Sequence, residues 1–162
     1  MTAALALENT HNLCGGKVLP TQYVADVAAA AHERGVAVHM DGARIWHAAA
    51  AQGQSLAEVA APADSLSVCL SKAVGAPAGS LVVGSGELMR RARRLRKGLG
   101  GTMRQTGVLA AAGLVALDEV LPSLVEDHTR AVCHAPTPQQ PIRIPATEPI
   151  DERLRRPRLP KA

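Results

Sequence analysis

Apolar and polar positions along this chain follow two rhythms in turn. Residues 3–7, AALAL, are a short apolar run that ends in the polar loop ENTHNLCGGKVLP, and they read as a strand. From Thr21 the period lengthens. Val24, Val27, Ala28 and Ala31 recur on one helical face, Thr21 stands at the cap position, and Gly35 follows as the stop. VAVHM, residues 36–40, predicts a second strand with Asp41 at its carboxyl end. Helices are predicted over 43–51 and 56–60, then a third strand, DSLSVCLS, with Lys72 at its end. SLVVG, residues 80–84, predicts a fourth strand, antiparallel because its connection is short. In the helix predicted over 88–97, Leu88, Met89, Ala92 and Leu95 face inward, while five arginines and Lys97 face outward. Beyond the Gly-rich segment GLGGTMRQ, the stretch TGVLAAAGLVALDEVL predicts one long helix of small residues.

Strands alternating with helices predict an α/β fold, a mostly parallel sheet with flanking helices on its faces. Ligands of such sheets gather at the carboxyl ends of the strands, which is where Asp41 and Lys72 are predicted to lie. The pattern stops at about Val132. The remaining residues hold seven of the eleven prolines and show neither period, which predicts a folded unit over 1–131 and a disordered tail over 132–162.

Composition narrows the picture. The 162 residues include one Trp, one Tyr and no Phe, so the core must be built from Ala, Val and Leu. The net charge of +4 suggests a nucleic-acid binder until it is located. From residue 131 onward there are six basic residues against three acidic ones, and residues 1–130 hold 12 against 11. A near-neutral folded part without stacking aromatics argues against a nucleic-acid partner, including one bound through Arg90 to Lys97. Cys14, Cys69 and Cys133 have no metal-ligand spacing and fit reduced thiols. The first residues lack the features of a signal peptide, and no apolar stretch is expected to cross a bilayer. These readings together predict a cytoplasmic protein that binds neither membrane nor metal.

Lys72 is the first chemical candidate. A lysine amine held in a desolvated pocket becomes a nucleophile suited to an aldehyde, although a lysine at a strand end is more often structural. Asp41, one βαβ step earlier, supplies the carboxylate that a pyridine nitrogen requires, with helix capping as its ordinary alternative. The pair points to pyridoxal 5'-phosphate. Arg44 stands three residues on and could meet the cofactor or a substrate carboxylate. Ser71 and Arg104, with the amides of GLGGTMRQ, could donate to phosphate. His11 and Asn12 lie in the loop after the first strand and could reach the same sheet edge. His39 and His47 read as packing or solvent-facing residues.

LENTHN, HMDGARIWHA, CLSKAVGAPAGS and GGTMRQTGVLAAAGLVAL, in this order and spacing, resemble the low-specificity L-threonine aldolases. These are fold-type I pyridoxal-phosphate lyases of the aromatic amino acid β-eliminating lyase and threonine aldolase group. The resemblance covers residues 4–131 and implies the central part of a fold-type I large domain, truncated at both ends. It implies that Lys72 bonds the cofactor and that Asp41 holds its ring nitrogen. Arg44 would contact cofactor or substrate, and Arg104, with Lys97, would bind phosphate. The implied reaction cleaves L-threonine or L-allo-threonine to glycine and acetaldehyde, in a dimer or tetramer. Family members carry a longer amino-terminal part, and Ala73, Val74 and Thr102 stand where the family usually has Gly, Leu and Gly. The rival reading is a catalytically inactive fragment with at most an interaction role.

Overall fold

The computed structural model describes residues 3–134. Four strands, β1 (Ala4–Glu8), β2 (Ala37–Gly42), β3 (Ser65–Cys69) and β4 (Ser80–Gly84), form one sheet in the order β1-β2-β3-β4. The first two pairings are parallel and the third is antiparallel, as the short β3–β4 connection predicts. Six α-helices accompany them: α1 (Thr21–His32), α2 (Ile45–Gln52), α3 (Leu56–Ala60), α4 (Gly86–Gly98), α5 (Gly107–Val115) and α6 (Leu124–His134). This is the expected α/β class. The disordered tail predicted over 132–162 lies outside the described residues apart from its first three, which close α6.

Residues paired across strands share a face, so the register divides the sheet in two. Leu7, Met40 and Leu66 lie on one face with Val38 and Val68. Helices cover it through Val24 and Ala28 of α1, Ile45, Trp46, Ala48 and Ala49 of α2, and Val59 of α3. The opposite face carries Ala6, His39, Ser65 and Gly84, then Glu8, Asp41, Ser67 and Val82. Among the described residues only α4 approaches this face, with Leu88 and Met89 over Gly84. The expected two-sided cover is therefore one-sided. The inner strands give this face little apolar area, with Ala6, Glu8, His39, Asp41, Ser65 and Ser67, while Val82 stands on the outer strand.

Sequence and structure part at several further points. Pro20, not Thr21, occupies the cap position of α1, and the Gln52 side chain of α2 accepts from the Thr21 N–H at 3.0 Å. A distant amide thus replaces the local hydroxyl. Gly35 does act as a stop, with φ +66° and its N–H donating to His32 O at 2.9 Å. Leu95, expected to face inward, is 65% exposed, whereas Leu88, Met89 and Ala92 are half-buried, the first two over Gly84.

The long helix expected over 106–121 is instead α5, a π-helical turn over Ala116–Val120 and a 3-10 turn at Leu121–Ser123, and the chain then continues as α6. The whole run Gly107–Cys133 is long and apolar enough to cross a membrane by length and composition, contrary to expectation. Only 17% of its most apolar window is buried, yet Gly113, Ala116 and Leu124 lie in the core, with the irregular turns among them.

Candidate functional site

Asp41 is exposed at the end of β2, on the open face. Its backbone carbonyl accepts from the Asn9 N–H at 3.0 Å, which ties the end of β1 to it. The side chain caps no helix. Oδ1 accepts from the Ala43 N–H at 3.0 Å and from Ser67 Oγ at 3.4 Å, while α2 begins beyond, with Arg44 at its cap position. Among the described residues Oδ2 has no protein partner, so one carboxylate oxygen is held and the other is free to accept a proton from a ligand.

β3 runs beside β2 with Ser67 opposite Asp41, and Lys72 follows three residues after its end. The loop that presents Lys72 is closed by backbone bonds from Leu70 N–H to Gly79 O and from Ala76 N–H to Leu70 O, each 2.9 Å. Val74 and Ala76 are buried in the main core cluster, so these two small residues fill space under the strand end. Ser71 and Lys72 point outward and are exposed. The expected desolvated pocket for Lys72 is absent among the described residues, because no element covers the second face there.

Cys69, expected to serve as a small apolar residue, has polar company. Its Sγ lies 3.5 Å from Ser80 Oγ and 3.8 Å from Ser71 Oγ. The Ser80 hydrogen bond, with help from Ser71 and the charge of Lys72, holds the thiol below its ordinary pKa against a smaller opposing effect of burial.

The remaining candidates are dispersed. His11 sits in the loop after β1, with Nε2 3.4 Å from Glu8 Oε2, while its buried Nδ1 has no hydrogen-bond partner among the described residues. Asn9 anchors that loop from a fully buried position, exchanging hydrogen bonds of 3.1 and 3.3 Å with the backbone of Leu19. Arg104 is exposed between α4 and α5, and no hydrogen bond among the described residues joins it to Asp41 or Lys72. Arg44 lines a separate cleft of about 430 Å³ with Thr10, His47, Asp127 and His128. Sequence reading took His47 for a packing or solvent-facing residue. Its partner His128 lies 81 positions away, a separation at which no local period carries a signal.

An exposed amine just beyond one strand and an exposed carboxylate at the end of its parallel neighbour are the donor types that a pyridine aldehyde requires. The sequence profile of the β-eliminating lyases matches residues 1–149. The chain belongs to the β-eliminating lyase family. It is 50% identical over 130 residues to the low specificity L-threonine aldolase of Escherichia coli O157:H7, an alignment covering 80% of this chain and 38% of that protein. It is 49% identical over 131 residues to the probable low-specificity L-threonine aldolase 2 of Arabidopsis thaliana, covering 81% and 37%. Its fold matches a Listeria monocytogenes protein proposed to be an L-allo-threonine aldolase, with a TM-score of 0.76 at 22% identity, covering 79% of this chain and 36% of that one. The threonine aldolase of Leishmania major matches with a TM-score of 0.64 at 22% identity, covering 81% and 39%. This β-eliminating lyase chain therefore spans little more than a third of the relatives it matches.

Proposed function

We propose that this chain carries the cofactor-holding part of a pyridoxal-phosphate lyase that cleaves L-threonine or L-allo-threonine to glycine and acetaldehyde. The reading is supported above all by the placement of Lys72 and the half-bonded Asp41 at neighbouring strand ends, within a β-eliminating lyase sequence. Pyridoxal phosphate, when bound, supplies an aldehyde for the amine and a ring that accepts the electron pair left when the Cα–Cβ bond of a β-hydroxy amino acid breaks. Lys72 would hold that aldehyde covalently. Asp41 would keep the ring nitrogen protonated through its free Oδ2, with Ala43 and Ser67 fixing the carboxylate. Ser71 would donate to phosphate from beside Lys72, whereas Arg104 lies exposed between α4 and α5 and Arg44 lines a separate cleft, so these two and His11 are given no contact within the site this chain itself forms. A homo-oligomer fits this reading, since Asp41 lies on a face that the described residues leave largely uncovered and Lys72 is exposed beside it.

That same openness favours a second reading, a chain that does not turn over. Absorbance after addition of pyridoxal phosphate to the full chain separates the two. We expect a visible band that borohydride fixes as a mass increment on the peptide containing Lys72, and that Lys72→Ala abolishes. A wild-type chain without the band, or a Lys72→Ala chain that keeps it, refutes the cofactor assignment. Acetaldehyde release from L-threonine by the loaded chain then distinguishes lyase from inactive relative.

A further inference from the structure

The cleft between residues 10–18, α2 and α6 contains a histidine pair that the proposed lyase chemistry does not use. The rings of His47 and His128 stack with centroids 5.1 Å apart and planes 22° from parallel, and His47 Nδ1 lies 2.9 Å from His128 Nε2. One of those nitrogens must carry a proton and the other must not, so the bond exists only while at least one ring is neutral. We propose that His47 and His128 form a proton-sensitive clasp that holds α6 against α2 and opens when both rings are charged.

The surroundings support such a clasp. α6 is anchored by Leu124, which is 1% exposed, but Val125 and Val132 are 62% and 77% exposed, so its later turns have little other apolar attachment. From α2, Arg44 faces the pair as a second cation; from α6, Asp127 faces it as an anion; residues 10–18 contribute the uncharged Thr10, Gly16 and Val18. Asp127 Oδ1 also lies 3.6 Å from Arg130 Nη1, which divides its help between two cations. Burial, then His128 and Arg44, hold His47 below its ordinary value against the opposing pull of Asp127. The sign follows from linkage. Detached, His47 binds a proton more readily, so detachment is favoured as pH falls below 6.5.

Amide hydrogen exchange on the full chain at pH 8 and pH 5, corrected for intrinsic rates, tests this. Protection over 125–133 should fall roughly tenfold or more at pH 5, while α1 keeps its protection. His128→Gln retains an amide that can donate to His47 but takes no charge, and it should weaken the pH dependence, leaving the part that burial of His47 sets. Equal protection at both pH values, no protection over 125–133 at either, or an unchanged dependence in His128→Gln overturns the clasp. Should that variant not fold, NMR titration of the wild-type rings decides, since independent titration of both at the ordinary value also overturns it.

Discussion

The positions that matter most here are those where one atom sets what a neighbour can do. Gly42 points into the covered face, where a Cβ would meet Leu66 Cδ1 at 2.5 Å, Ile45 Cβ at 3.1 Å and Ser67 O at 3.1 Å. Leu66 can rotate away, but the Ser67 carbonyl cannot. Gly42→Ala should therefore cost about 1–3 kcal/mol in chemical denaturation and shift β2 against β3 beside Asp41. Asp64 links α1 to the sheet, accepting at Oδ2 from the Val38 N–H at 2.7 Å and meeting His32 Nε2 at 2.8 Å. Those bonds, the Val38 one foremost, hold its pKa below 3.8. A lowered carboxylate contributes stability that is complete above 3.8 and is lost as pH falls through the lowered value. Asp64→Asn should flatten an acid denaturation profile in that range. At this scale the sequence was informative wherever chemistry is local: Asp41 and Lys72 stand at strand ends because strand periods end there. It was silent about His47 and His128, whose meeting depends on how α6 returns across α2.

At the scale of elements, α4 depends largely on local interactions, since it has no buried residue. Its first turn is capped by Ser85, whose Oγ accepts from the Leu88 N–H at 3.2 Å, and apart from Leu88 and Met89 it has little to pack against. Ser85→Ala should weaken it by about 1 kcal/mol, seen as faster amide exchange over 86–98 with the global unfolding midpoint nearly unchanged. The sequence reading of α4 had the right helix and an overestimated face. Leu95 satisfies the periodicity, but periodicity states only that a stripe exists and not how far a partner surface extends beneath it. The 106–121 stretch misled for a related reason. Small residues such as Ala110, Ala111 and Gly113 suit α, π and 3-10 turns alike, so composition could not locate the irregular turns that carry the chain into α6. Gly113 does serve packing, because a Cβ there would lie 3.1 Å from Leu70 Cδ1, just ahead of the loop that holds Lys72.

For the whole molecule the decisive property is its one-sided sheet. Val82 is 54% exposed on the open face, midway along the outer strand β4, and Leu81 and Val83, on the other face of that strand, are 45% and 49% exposed. An outer strand this apolar, beside an uncovered face, is a site for self-association. We expect light scattering by the full chain to rise with concentration, and Val82→Lys to suppress it without a loss of helicity in far-ultraviolet circular dichroism. Unchanged scattering would show that association, if present, uses another surface. The sequence announced the α/β class through its alternating periods, but not the bare face, since helices long enough to cover two sides were predicted and their placement is not a local property.

Strand order along the sheet is also strand order along the chain, so each strand pairs with the one made just before it. Among the described strands, β2 follows β1 by about thirty residues, and each added strand finds its partner already made. Sheet growth is thus directional. Pulled from its carboxyl end, the chain should give up β4 first and the β1–β2 pair last.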